Sequence, residues 1–390
     1  DTVGRPSGLG LGITAFGMAL AYRAGVPLKD MEFVQYHPTG LPNTGILLTE
    51  GCRGEGGILL NKDGRRYLQD YGMGPETPVG KPVLKTMELG PRDRLSQAFW
   101  HEQKKGNTVK TRWGDCVLLD MRHLGEAKID ERLPFVRELS TSYLGMDPVK
   151  EAIPVRPVVH YMMGGIHTDV RTATPLPGLF AVGECACVSI NGANRLGSNS
   201  LTELLVFGRR AGLSAIEYLQ AGVPQAREST LETLAEEARA KVRTLFERTD
   251  GGETIAGLRR EMMTTMEDNV GIYRTEAEMV AAASKIAELR ERWQRVELND
   301  KTNVFNTDML QALELKSMLD CAEAVAVCGE ARKESRGAHQ RLDYTARDDE
   351  NFLRHSLAYH HPTQAPRVDY LDVVITRSRP GVRDYSGAKK

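Results

Sequence analysis

Long apolar runs are missing from this 390-residue chain. None approaches the roughly 20 residues that cross a bilayer, so any membrane role is expected to pass through a partner. A charge excess is missing as well. With 51 basic and 52 acidic side chains the formal net charge is -1, which lacks the basic surplus that a nucleic-acid binder uses to displace counterions from phosphates. Cysteine is scarce: Cys52, Cys116, Cys185, Cys187, Cys321 and Cys328 show no paired spacing suited to a disulfide framework, and a reducing compartment is expected. Cys185-Ala186-Cys187 has no second pair or histidine at metal spacing, so two core thiols are expected there rather than zinc. His360-His361 likewise has no matching ligands nearby. Neither an initial methionine nor a basic segment running into an apolar one marks a signal peptide, and the start reads as the middle of a longer protein.

What is present is unevenly spread. Of 38 glycines, 30 lie at or before Gly222, and no proline occurs between Gln225 and His361 although the chain has 18. The front part alternates short apolar runs such as Phe33-Val34-Gln35-Tyr36 with glycine and proline, the pattern of strands and functional loops. The back part has helical periodicity, in Leu231, Leu234, Ala238, Val242 and Leu245, and again in Met279, Ala282, Ile286 and Leu289. A third helix is predicted from Asp308 toward Arg332. Alternation returns in Val368, Tyr370, Val373 and Ile375, which predicts a small strand-bearing tail.

Four clusters could carry chemistry. His37-Pro38-Thr39-Gly40 precedes Thr49-Glu50-Gly51-Cys52-Arg53-Gly54-Glu55-Gly56-Gly57, where glycines let backbone approach a ligand while opposite charges converge. That suits an anion site with a proton relay, or a charge-balanced surface loop. In Glu88-Leu89-Gly90-Pro91-Arg92-Asp93, Arg92 falls at a predicted helix N-terminus, where the dipole gives a cation nothing. A local ion pair of Arg92 with Asp93 or Glu88 is the plainer explanation. His160 lies within a strand-like apolar run that leads into Gly164-Gly165, as a core histidine or a catalyst. Gly183-Glu184 and Gly192-Ala193-Asn194-Arg195-Leu196-Gly197-Ser198-Asn199-Ser200-Leu201 read as a strand end and a polar loop opening a helix, a ready anion-binding element unless Ser198 and Ser200 are plain caps. The run Glu334 to Arg341 reads as a solvated or domain-joining basic turn.

In this order the clusters, with Gln35-Tyr36 before His37, Tyr161-Met162-Met163 after His160, and Ser335-Arg336-Gly337-Ala338-His339, resemble the flavoprotein subunit of fumarate reductase and succinate dehydrogenase, the bacterial fumarate reductases above all. The likeness runs from about Arg23 to the C-terminus. It implies FAD as cofactor and fumarate/succinate as substrate. It also implies Arg92 as proton donor with Glu50 in its relay, His37 with Thr49 at one carboxylate and His160 with Arg195 at the other. Glu184, Arg195, Ser200 and Leu201 would contact FAD. No residue is expected to bind a metal. An iron-sulfur subunit, membrane anchor subunits and quinone are the implied partners. They would place the protein peripherally at the cytoplasmic face of the inner membrane, in anaerobic electron transport.

The fold class this implies is α/β plus α. An FAD-binding domain remnant (1-31) leads to an inserted capping domain (32-157), the return of the FAD-binding domain (158-222), a helical bundle (228-335) and a small C-terminal domain (336-390). The family's Gly-x-Gly-x-x-Gly turn and its flavin-linking histidine are not found; Gly8-Leu9-Gly10-Leu11-Gly12 only imitates the former. The expectation is therefore that half of the FAD site lies outside the chain, and that this piece alone is inactive and holds FAD poorly. Alternatives are the succinate dehydrogenase direction, L-aspartate oxidase, and a non-catalytic interaction fragment.

Overall fold

The structure, a computed structural model, describes residues 15-249, 251-378 and 381. The strands are β1 (Leu28–Lys29), β2 (Val34–Gly40), β3 (Ile58–Leu60), β4 (Val109–Thr111), β5 (Gly114–Asp120), β6 (Ile153–Met162), β7 (Gly165–His167), β8 (Ala186–Cys187), β9 (Arg354–Tyr359) and β10 (Arg367–Asp372). The helices are α1 (Phe16–Arg23), α2 (Gly51–Gly54), α3 (Arg92–Lys104), α4 (Glu126–Arg132), α5 (Pro134–Leu144), α6 (Asn199–Gln220), α7 (Glu228–Glu247), α8 (Ile255–Asn269), α9 (Glu276–Trp293), α10 (Thr307–Ala331) and α11 (Asp349–Phe352). Contacts divide them into two units. One takes residues 35-160; the other takes 161-373 together with the stretch that ends at Val34.

The 35-160 unit is built on a sheet of order β2-β6-β5-β3, with β4 paired to β5. Short β-branched and leucine-rich stretches bury Leu59, Val117, Leu119, Ile153 and Val155 on it. α3 adds Leu95, Ala98 and Phe99, one face at three and four spacing. α5 starts with proline at its first turn and stops at Gly145, whose φ of 72° is the left-handed cap that glycine supplies without cost.

The other unit carries an antiparallel sheet with one parallel pair, in the order β10-β9-β1-β7-β8. Its helices follow the predicted periodicity. Met279, Ala282, Ile286 and Leu289 of α9 are all fully buried, facing Leu258, Met262 and Met266 of α8. α10, the predicted third helix, is buried on nearly every side from Leu315 to Gly329 and forms the centre of the group. α7 differs from expectation. It is a helix, yet of its apolar stripe only Leu245 is buried, while Leu231 and Leu234 are each 54% exposed. Periodicity reports the amphipathic helix and not whether a neighbour covers its stripe.

Within α10, burial raises the Glu323 carboxyl to about 7, against the attraction of Arg290 and with Asp320 adding to the rise. An acid whose folded pKa lies above its unfolded value near 4.5 favours the fold below that value, and the advantage is lost as pH rises to about 7. Urea denaturation at pH 5 and pH 8 should therefore show a stability loss in the wild type that Glu323→Gln lacks. Equal losses in both proteins would remove Glu323 as the source.

The basic turn from Glu334 to Arg341 is not solvated. Glu334, Ser335, His339 and Arg341 are buried, because each finds a partner in the same unit. Arg332 reaches both Glu32 and Glu334, and Glu334 holds Arg336 at 2.7 Å. His339 Nδ1 faces Arg274 Nη1 at 2.9 Å and its Nε2 faces the Arg332 carbonyl at 3.1 Å. Burial, with Arg274 adding, keeps this imidazole neutral, so Nε2 carries the hydrogen. Gly337 closes the turn at φ +56°, and a Cβ there would meet the Ala193 carbonyl oxygen at 2.4 Å. Gly337→Ala should thus cost about 1–3 kcal/mol from backbone strain, and more from the clash. Unchanged denaturation would contradict this placement. The Cys185-Ala186-Cys187 expectation is corrected in part: Cys187 is buried, but Cys185 is exposed because β8 ends the sheet beside it.

Candidate active site

In the 35-160 unit, β2 delivers His37, the turn after it delivers Thr49 and Glu50, the start of α3 delivers Arg92, and β6 delivers His160. His37 is 3% exposed. The Thr39 backbone N–H donates to its Nδ1 at 3.3 Å, while the Thr39 hydroxyl donates to the Leu48 carbonyl at 3.0 Å. An Nδ1 that accepts leaves the ring hydrogen on Nε2, so His37 is set as a donor. The His160 ring stands edge-on to it, with centroids 5.4 Å apart. Thr49 Oγ1 accepts the Gly51 N–H at 3.2 Å, which leaves its own hydrogen for another acceptor.

The ion pair expected for Arg92 is made with a different residue. Neither Asp93 nor Glu88 takes it. Glu50 does, receiving Nε at 3.1 Å and Nη2 at 3.0 Å. Glu88 is already engaged by Arg66 at 2.7 Å and by the Leu59 N–H at 3.2 Å. Arg92 Nη1 is buried and has no hydrogen-bond partner among the described residues. As the first residue of α3, Arg92 works against the helix dipole, so helix stability does not account for it.

On its other side Glu50 lies 3.7 Å from Arg53, whose side chain is fully buried and donates to the Glu88 carbonyl. Burial lowers the Arg53 guanidinium to about 10, with Glu50 opposing the fall and Arg92 adding to it. The result is a row of three charges, Arg92, Glu50 and Arg53, running from a part-buried end into the core. The sequence places Arg53 in the converging-charge cluster but gives it no role of its own; in the structure it follows Glu50 by three positions on the one-turn helix α2 and faces it.

The second unit holds the other residues. Arg195 is 6% exposed, its guanidinium stacks over the Tyr161 ring at 4.2 Å, and Nη1 donates to Ser200 Oγ at 3.2 Å. Ser200 thus acts as Arg195's acceptor rather than as a cap. Tyr161 and Asn191 both donate to Glu203, at 3.2 and 2.6 Å. Nothing in the sequence marked Glu203, which sits within an amphipathic run. Glu184 accepts the Met162 N–H at 3.0 Å, and burial pushes its carboxyl upward. Leu201 is 63% exposed on the first turn of α6. That 22-residue helix has no side-chain cap among the described residues, and its first residues Asn199 and Ser200 lie beside Arg195. An uncapped N-terminus with an arginine and exposed apolar surface fits an anionic, partly apolar cofactor.

Comparison with known proteins agrees. The family described as FAD binding domain matches residues 5-201, and the family described as fumarate reductase flavoprotein C-term matches residues 259-385. The chain belongs to the fumarate reductase and succinate dehydrogenase flavoprotein family. It is 58% identical over 377 residues to the fumarate reductase flavoprotein subunit of Haemophilus influenzae, covering 96% of this chain and 62% of that protein. To the succinate dehydrogenase flavoprotein subunit of Coxiella burnetii it is 41% identical, covering 89% of this chain and 58% of that protein. A solved E. coli quinol fumarate reductase chain superposes with a TM-score of 0.95 at 56% identity, covering all of this chain and 66% of that one. This chain therefore spans about three-fifths of these flavoproteins' length.

One expectation is corrected by the family match. An absent FAD-binding half is not supported, because the FAD binding domain family begins at residue 5 and runs through the 35-160 unit to residue 201. The glycines at 8, 10 and 12 lie outside the described residues. Among those described, no helix is long and apolar enough to cross a membrane, and no group of histidine, cysteine or acidic residues could hold a metal.

Proposed function

We propose that this protein works as the catalytic flavoprotein subunit of a quinol:fumarate reductase, with fumarate reduction favoured by its 58% identity to a fumarate reductase subunit against 41% to a succinate dehydrogenase subunit. The observation that carries the chemistry is the Glu50 carboxylate set between Arg92 and Arg53, with Arg92 Nη1 given no hydrogen-bond partner among the described residues. FAD, when bound, supplies the hydride for one alkene carbon; Glu184, Arg195, Ser200 and Leu201 are the residues that would hold it.

His37 Nε2–H and the Thr49 hydroxyl bind one carboxylate of fumarate, and His160 with Arg195 binds the other. All four can donate hydrogen bonds, as a dianion requires. Clamping both ends orients the alkene and stabilises the charge that develops beside a carboxylate. Arg92 then delivers a proton to the second alkene carbon. Glu50 returns a proton to Arg92, and Arg53 follows Glu50 in the relay. A buried guanidinium lowered to about 10 gives up a proton more readily than an exposed one. The iron-sulfur subunit, the membrane anchor and quinone bring electrons, and the protein sits peripherally on the membrane through them.

The test supplies the protein with FAD and compares reduced viologen plus fumarate with L-aspartate plus oxygen. Fumarate-dependent viologen oxidation supports this function. Aspartate-dependent peroxide formation without fumarate reduction would make the protein an aspartate oxidase instead, and neither activity despite bound FAD would favour a non-catalytic role.

A further inference from the structure

Outside the residues assigned above, the 161-373 unit contains a cavity of about 570 Å³ between α9, α10, the C-terminal end of α1 and the loop joining β9 to β10. It exists because α9 presents small residues, Ala283, Ser284 and Ala287, where larger ones would fill the space. Leu319, Val327 and Pro362 add apolar wall. The charges at its base are mostly matched to one another. Asp320 takes Arg23 at 2.6 Å and Arg290 at 3.1 Å, and Arg290 also reaches Glu323.

Lys316, on the same helix as Asp320 and Glu323, has no such match. Its ammonium lies 4.8 Å over the Trp293 ring, and among the described residues no carboxylate forms an ion pair with it. Burial lowers its pKa from the ordinary lysine value, with Arg23 adding to the fall and Asp320, which is already held by Arg23 and Arg290, opposing it. Trp293 cannot turn to accommodate it otherwise, since its indole N–H is committed to the Ala312 carbonyl at 2.8 Å. A cation ligand would find both buried carboxylates already held by guanidinium groups. An anion would find Lys316.

We propose that this cavity binds a small organic monocarboxylate, with Lys316 as its counter-ion and the α9 alanines and Leu319 against its apolar body. Such a ligand gains one part-buried ion pair and buries apolar surface in a wall already shaped for it. A dicarboxylate fits less well, because the second charge would face Asp320 and Glu323. The site is thereby separated by chemistry from the proposed fumarate clamp.

Isothermal titration of the purified 390-residue chain with benzoate tests this. Saturable binding is expected, weakened at least ~10-fold by Lys316→Gln, retained by Lys316→Arg, and abolished by Ala287→Trp, which fills the cavity from the α9 wall without altering a charge. Circular dichroism of each variant should match the wild type, and added fumarate should leave the benzoate titration unchanged. Absence of saturable binding in the wild type would overturn the proposal. So would equal affinity in a folded Lys316→Gln protein, unaltered binding in Ala287→Trp, or competition by fumarate, which would put benzoate in the other site.

Discussion

Replacing Arg92 by lysine is expected to lower fumarate reduction by about 10²–10⁴-fold, the range that a positioned general acid contributes. The fold should survive, since the change keeps the charge and the aliphatic stem. What it removes is the shape. Arg92 spends Nε and Nη2 on Glu50 and keeps Nη1 for another partner, and a single ammonium cannot be bonded to Glu50 and aimed elsewhere in the same way. Steady-state assays with reduced viologen would show the loss in kcat, with KM for fumarate changed far less, because the proposed clamps at His37, Thr49, His160 and Arg195 are left untouched. A variant with wild-type kcat would mean that the proton comes from another group.

The largest stability effect is expected at Arg332. This side chain is 1% exposed, and its partners Glu32 and Glu334 are both 0% exposed. Arg332→Met would leave the buried Glu32 carboxylate without its cation and Glu334 with Arg336 alone, at a cost of about 3–5 kcal/mol. Adding Glu32→Gln to that variant should recover part of the loss, because the two side chains interact directly. Arg367 and Asp369 provide the contrast: their pair is 64% and 55% exposed, so Arg367→Met should change stability by less than about 1 kcal/mol. Urea denaturation followed in the helical circular dichroism band measures all three. A loss at Arg332 no larger than that at Arg367 would contradict the buried network.

The same network shows what a sequence can and cannot reveal. Seven of the eight residues from Glu334 to Arg341 are polar or glycine, and polarity alone reads as solvent exposure. Their burial depends on Glu32 and Arg274, which are distant in the chain and brought together only by the fold. Arg92 illustrates the same limit. Local reasoning offers Asp93 and Glu88 as partners, whereas the actual partner is 42 residues away and Glu88 is occupied by Arg66. Where structure is governed by neighbours in sequence, the reading is closer. The α9 spacing named Met279, Ala282, Ile286 and Leu289, all buried, and the expected third helix from Asp308 toward Arg332 is α10. The motif residues stand out in the sequence because glycine and charge cluster around them. The His37 tautomer and the approach of Arg53 to Glu50 do not, since those depend on Thr39 reaching back to His37 and on α2 turning Arg53 toward Glu50.

The most direct test is a single anaerobic turnover. The protein is loaded with FAD, reduced chemically, freed of excess reductant and mixed with fumarate while flavin absorbance is followed and succinate is assayed. The account predicts that flavin reoxidises on mixing and that succinate forms in equal amount, with the reaction suppressed in Arg92→Lys. Reduced flavin that persists in excess fumarate and reoxidises only when oxygen is admitted would contradict it.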